Sequence, residues 1–369
     1  MSLIKALLPL SLSAMTLSFP SFASLADTKQ VSGSNPSAKV KQIATITDAV
    51  AQKRHEPRYP AKEAKSGREG WTILSYVIET DGSVSNILVE ESSGRRSFDK
   101  AAIRAAKKWR YQPAIENGKP VQQCQNRVKI DFSLQGANGS VSRKFFQQYK
   151  DIQALIEQDE LARAKAKIDQ LKTFKQWRLS EEMYYSLVRA SYARKTGDKP
   201  QELASLKRAL EANSKHLTPE FRLSTLQQIY NLNLELNRLH DALATYEKIA
   251  STTRDKSLLK LFRENRDIVK DFIDGEQDIV LNGTIGERNT WNHTLVRKAF
   301  SLANIQGSLN KLDVRCANKR HVFTVENNTS WAIPESWQRC SIYVYGERNT
   351  QFQLIEHPTP QTLAAVAKK

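Results

Sequence analysis

The sequence lacks the short signatures that a hydrolase, a metalloprotease or a nucleotide-binding enzyme would show. It has no Gly-x-Ser-x-Gly elbow, no His-Glu-x-x-His run and no Gly-Lys-Ser/Thr phosphate loop. Its six histidines, at 55, 216, 240, 293, 321 and 357, fall at spacings that suit no helix-borne metal pair. No cysteine has a partner at zinc-finger distance. These absences argue against an enzyme, a metal and a cofactor. Cysteine is scarce, with three in 369 residues. Cys316 and Cys340 lie in one C-terminal block and could pair in an oxidising compartment, or stand as two buried free thiols. Cys124 is left over and reads as a small packed side chain.

Long apolar runs are also missing, except at the start. "MSLIKALLPLSLSAMTLSFPSFASLA" has Lys5, an apolar run from Ala6 to Phe19, and small residues around Ala23 and Ala26. That is the three-part pattern of a cleaved signal peptide over residues 1–26. The run is about 14 residues long and contains Pro9, whereas a spanning helix needs roughly 20. A mature chain is expected to start near Ser24 or Asp27, in the periplasm. Acidic charge is in deficit: 39 Asp and Glu stand against 56 Lys and Arg, a net charge of +17. Such a balance suits anionic surroundings. Export argues against nucleic acid and favours an envelope surface or an acidic partner.

What is present falls into three blocks, an α+β multidomain arrangement. Residues 27–48 are polar and read as a linker. From 49 to 136 the pattern is β-β-α-β. "WTILSYVIE" (71–79) and "VSNILVEE" (84–91) are strands joined at Asp81-Gly82. Phe98, Ala102, Ala105 and Trp109 then share one helical face, with Ser97 placed to cap the first turn. Pro113 stops the helix, and Asn117-Gly118 signals a tight hairpin. In "CQNRVKIDFSL" (124–134), Val128, Ile130, Phe132 and Leu134 alternate with polar residues, which predicts a strand covered on one side only.

From 141 to 270 similar amphipathic helices begin at 161, 202 and 241, each after another helical run. A period of about 40 residues implies a helical-repeat array of tetratricopeptide-like type, or else a plain bundle used as a spacer. Residues 275–358 are β-rich, and 359–369 form a tail. "GERNT" occurs at 286–290 and again at 346–350. Two equivalent turns or a duplicated binding site would both explain it.

The first block resembles the C-terminal domain of the TonB family of energy transducers. The residues that carry the resemblance are "PRYP" (57–60), "GREGWTILSYVIETDGSVSNILVEESSG" (67–94), "FDKAAIRAAKKWRYQPAIENGKPV" (98–121) and "VKIDFSL" (128–134). The resemblance implies helices on one side of a three-stranded antiparallel sheet. It also implies a job: an outer-membrane transporter for siderophore-bound iron or vitamin B12 donates a short segment, the TonB box, as an extra strand. The edge for that strand would be Gln122, Gln123, Cys124, Gln125, Asn126, Arg127, Val128 and Lys129. Glu56, Arg58 and Tyr59 of the approach segment would lie beside it. Family members carry an uncleaved anchor that touches an inner-membrane energising complex, then a Pro-rich spacer, and they end near the last strand. Here the leader looks cleavable, the linker is short, and more than two hundred residues follow. The expectation is therefore a periplasmic TonB-related accessory or adaptor. Its repeats would hold a second peptide or protein. The rival is an envelope scaffold that binds cell-wall or protein partners through charge and has lost transporter recognition.

Overall fold

A computed structural model describes residues 46–134, 140–174, 176–212, 217–326 and 329–358. The expected signal peptide, nearly all of the expected linker and the expected tail lie outside them. The first part contains β1 (Ile46–Thr47), β2 (Val50–Lys53), α1 (Ala61–Lys65), β3 (Gly70–Ile78), β4 (Val84–Ser92), α2 (Arg96–Ala106), β5 (Arg110–Gln112), β6 (Ala114–Glu116), β7 (Lys119–Val121) and β8 (Gln123–Phe132). The central antiparallel sheet runs β4-β3-β8. Small strands flank it: β2 pairs with β5, and β1 pairs with β6, so Ile46 and Thr47 belong to a strand and not to the linker.

Alanines at 101, 102, 105 and 106 are buried and let α2 lie close on the sheet. Phe98 stacks on Phe132 at 4.6 Å. Trp109, expected on the same helical face, lies beyond the helix end at Ala106 and meets Tyr76 edge-on. β5 begins before Pro113, so that proline is not what stops the helix. Ser97 does not cap this helix. The helix begins one residue before it, at Arg96, and the Ser97 hydroxyl donates instead to Glu63 Oε1 at 2.8 Å. Asn117 and Gly118 take φ of 51° and 77°, as a primed hairpin turn between β6 and β7 requires. Gly82, at φ 78°, is needed for a second reason: a Cβ there would collide with the Tyr111 carbonyl. Close approach lets Tyr111 N–H reach the Gly82 carbonyl at 2.9 Å.

The last strand, β8, is open on its polar face at Arg127 and Asp131, but β3 is covered on both faces. Every residue of β3 is buried. Thr72, Leu74, Tyr76 and Ile78 face α2, whereas Trp71 and Ile73 pack on Leu179, Met183 and Ala212 of the helical part. The near-continuous apolar run of β3 is the mark of a strand covered on both faces. Glu69 stitches the same junction. Its carboxylate accepts from Leu134 N at 2.8 Å and Leu179 N at 3.1 Å, and its own N–H donates to the Trp177 carbonyl at 2.7 Å.

The helical part comprises α3 (Arg143–Glu157), α4 (Leu161–Leu171), α5 (Leu179–Lys195), α6 (Lys199–Ala212), α7 (Pro219–Glu235), α8 (Leu239–Thr252) and α9 (Lys256–Asp274). Three of its hairpins turn through one residue in the left-handed region: Asp159 at 62°, Gly197 at 73° and Asn237 at 53°. After each, an N–H reaches back to a carbonyl of the finished helix. These bonds are Glu160 to Leu155 at 2.8 Å, Asp198 to Ala193 at 2.9 Å, and Arg238 to Asn233 at 2.8 Å. The corners fall at 159, 197 and 237, which accounts for the sequence period.

The last part has β9 (Ile279–Thr284), β10 (Thr290–Thr294), β11 (Ala299–Gln306), β12 (Leu309–Cys316), β13 (Arg320–Thr324), β14 (Ser330–Ala332), β15 (Cys340–Gly346) and β16 (Gln351–His357). Two four-stranded antiparallel sheets, β10-β15-β12-β13 and β14-β11-β16-β9, share one core that includes Phe300, Leu312, Ile342 and Leu354. The two "GERNT" turns each cross between these sheets and bond to one another. Gly346 N–H reaches the Asn289 carbonyl at 3.3 Å, and Asn349 N–H the Ile285 carbonyl at 2.9 Å. Asn289 and Asn349 both adopt positive φ, 56° and 67°. Cys316 and Cys340 are directly opposite on β12 and β15 and are joined by a disulfide. The sandwich holds the helices through apolar contacts that include Leu239 and Val269. Arg297 adds hydrogen bonds to the carbonyls of Phe272, Ile273 and Gly275 at the end of α9.

Candidate partner-strand edge

β8 is an edge strand, and alternation along β3 determines which of its amides face outward. Trp71 engages Ser93 on the β4 side through both its N–H and its carbonyl, at 3.1 and 3.0 Å. Glu79 N–H also turns to that side, to Ser83. Odd-numbered residues of β3 therefore bond to β4, and even-numbered ones bond to β8. Gly70, Thr72, Leu74 and Tyr76 are opposite Phe132, Ile130, Val128 and Asn126. Those four amides of β8 point inward. The amides of Arg127, Lys129 and Asp131 point outward, and among the described residues β8 pairs with no strand but β3.

The expected stretch Gln122–Lys129 is open only in its second half. Between Tyr76 and Ile78 the register shifts, and in that bulge the Cys124 N–H turns outward. It is already taken, by the Ala317 carbonyl of the sandwich at 3.1 Å. Gln125 is held from the same side: its Nε2 donates to the Arg315 carbonyl at 3.0 Å and to Ser341 Oγ at 3.3 Å, and Arg339 Nε donates to its Oε1. Gln122 donates to Glu79 Oε2 at 2.6 Å. Gln123 bonds to Asn126 and accepts from Ala49 N, both at 2.8 Å. Arg127 pairs with Glu90 across the sheet at 2.9 Å, and Lys129 with Asp131 at 2.6 Å. Val128 packs towards α2.

Glu56 and Arg58 are exposed. Tyr59, from the same segment, is turned inward and is not offered to a partner. Its ring meets Phe98 and Phe132 edge-on, and its hydroxyl donates to the Arg68 carbonyl at 2.5 Å. Burial pushes that phenol up to about 12, with the nearby Glu69 and Glu63 adding to it. Cys124 is fully buried, and burial, reinforced by Glu79, pushes its thiol up to about 12. A thiol so raised is inert at neutral pH.

Sequence reasoning missed every residue that the sandwich brings to the sheet. Ser75 Oγ lies 2.9 Å from the Tyr343 hydroxyl, which donates to Glu90 Oε1 at 2.7 Å. Arg315 Nη1 also reaches Ser75, and Arg288 of the first "GERNT" donates to Ser92 Oγ at 2.7 Å. Ser75 was the available signal, a lone hydroxyl on the side of β3 that faces away from α2, among Trp71, Ile73 and Val77. Between this sheet face, helices α6 to α8 and strands β9, β10 and β15 lies a cavity of about 1030 Å³. Glu91, Lys207, Asp241 and Trp291 line it. Burial raises the Glu91 carboxyl and lowers the Lys207 ammonium. Burial also opposes charge on Asp241, but Lys207, His240 and Arg238 outweigh it and hold that carboxyl well below its usual range. Among the described residues no cluster of His, Cys, Asp and Glu could hold a metal, and no helix is long and apolar enough to cross a membrane.

Residues 55–134 match the family model for the Gram-negative bacterial TonB protein C-terminal domain. Protein TonB of Xanthomonas campestris pv. campestris strain B100 is 33% identical over 92 residues, 25% of this chain and 41% of that protein. The tonB2 protein of Pseudomonas aeruginosa is 40% identical over 78 residues, 21% of this chain and 28% of its own length. The chain thus spans less than half the length of these relatives. A solution structure of the Pseudomonas aeruginosa TonB C-terminal domain is 29% identical, with a TM-score of 0.23, and covers 25% of this chain and 92% of that one.

Proposed function

We propose that this protein is a periplasmic, TonB-related adaptor whose TonB C-terminal domain takes a partner strand by β-augmentation along the outer edge of β8. Main-chain bonds supply affinity in such a mode, and alternate side chains tune choice. The supporting observation is the row of outward amides at Arg127, Lys129 and Asp131, on a strand with one neighbour. A TonB box of an outer-membrane transporter for siderophore-bound iron or vitamin B12 is the partner implied by family. The helical part, with the cavity beside it, is the place for a second peptide or protein. An inner-membrane energising complex would act on the chain from outside the described residues. No catalysis is assigned.

The test is a titration of synthetic TonB-box peptides into the full chain, with proline substitutions as probes. Proline lacks the N–H and is tolerated where none is needed. Lys129→Pro removes an outward amide and should abolish binding with little loss of stability. Val128→Pro removes an inward one and should unfold the sheet. If Lys129→Pro binds as the parent does, strand addition at this edge is wrong. The charge of +17 favours a scaffold reading in that event, and salt-sensitive pelleting with cell-wall material would support it.

A further inference from the structure

The geometry points to a closed state: the C-terminal sandwich is an intramolecular gate on the β8 edge, with the Ala317 carbonyl standing where a partner strand's carbonyl would bond. This rests on the reading of that edge as a partner-strand site. A partner can pair with Arg127 to Asp131 while the gate is shut, but full-length pairing back to Cys124 requires the sandwich to withdraw.

The cap is presented firmly. Ala317 follows Cys316, which the disulfide ties to Cys340, and Ala317 N–H donates to the Arg339 carbonyl at 3.1 Å. Cys316 N–H closes the same turn on the Lys319 carbonyl at 2.8 Å. Asn318 Nδ2 reaches Glu116 at 3.4 Å, beyond the bonds already described to Gln125 and Ser75. All these contacts are polar. No buried apolar cluster joins the sandwich to the sheet among the described residues, whereas such clusters join the sheet to α5 and α6 and the sandwich to α8 and α9.

Two ends of one helical array therefore hold the two jaws. Arrays of stacked helical pairs distribute bending over many small rotations. The large cavity lies between the jaws, and beside it the sheet and the sandwich meet through hydrogen bonds and not through a shared apolar core. Hydrogen bonds of this kind exchange with water or with a partner at small net cost. That suits a contact made to open.

The experiment uses the full chain and leaves β8 untouched. Arg339→Ala, Ser341→Ala and Asn318→Ala are combined to remove sandwich-side bonds. A second variant, Cys316→Ser with Cys340→Ser, frees the turn by another route. Cys124 is the one free thiol of the three, and it lies beneath the sandwich, so maleimide labelling reports opening. The expected result is labelling about tenfold faster and TonB-box peptide binding about tenfold tighter in both variants. Unchanged labelling overturns the gate. Faster labelling with equal peptide affinity in parent and variants also overturns it, and leaves the partner-strand reading standing. Faster labelling with no peptide bound by any protein sinks the partner-strand reading instead.

Discussion

Removing the Glu69 carboxylate should destabilise more than one part of the protein at once. In Glu69→Ala the amides of Leu134 and Leu179 lose their acceptor in a site where Glu69 itself is 4% exposed. Each orphaned buried amide costs roughly 1–3 kcal/mol, so the two together cost roughly 2–6 kcal/mol. Leu179 opens α5, so the helix also loses an acidic group at its positive end. Glu69→Gln keeps one acceptor oxygen and should lose about half as much. Because Trp71 and Ile73 share a core with Leu179 and Ala212, sheet and helices should unfold together. Differential scanning calorimetry should show one shared transition for them, lowered by several degrees in Glu69→Ala. A change below about 0.5 kcal/mol, the level of an ordinary surface substitution, would refute the bridging role. So would a parent protein whose sheet and helices already melt separately.

Three further outcomes are expected. Gly82→Ala meets both a positive φ and the Tyr111 carbonyl, and should cost about 2 kcal/mol or more in urea unfolding. Replacing Cys316 and Cys340 with serine opens a loop with a sequence separation of 24, which should cost about 3 kcal/mol in the chain-entropy model, read by thermal melting. His293 lies 2.9 Å from Glu356 and is fully enclosed; burial lowers its pKa below the usual 6.5 against the pull of that carboxylate. The unfolded chain then takes up a proton that the folded one refuses. Stability is complete above about pH 6.5 and falls as pH drops below it. A neutral His293→Gln variant should show a flatter Tm profile between about pH 7 and 5, and an identical slope would exclude His293 as the cause.

Much of the first part was legible because its signals are local. Asn117-Gly118 states a turn, and the alanines of α2 mark a close face, whereas the helix ends at Ala106 and β5 intervenes before Pro113. The helical corners were legible as a period, since Asp159, Gly197 and Asn237 recur at near-equal intervals. What eluded the sequence was long-range. Ala317 carries no side chain that could announce a role, because it acts through a backbone carbonyl. Tyr59 sits in the segment that resemblance assigns to partner contact, yet its ring completes the core between Phe98 and Phe132. The second covered face of β3 was written in Trp71 and Ile73, but which part of a long chain covers them depends on tertiary packing alone.

The strand order of the sandwich also sets a schedule for synthesis. β16 lies between β9 and β11, so the second sheet has no continuous ladder until residues 351–357 have emerged. β9 must wait for a mate about seventy residues downstream, in the register Ile279 with Glu356 to Thr284 with Gln351. Cys316 likewise waits for Cys340. Helices with local contacts form early, and pairing across long separations forms late. During that interval the unpaired edges of β9 and β11 are the segments most open to association with other chains. Shortening the chain before residue 351 would make that interval permanent.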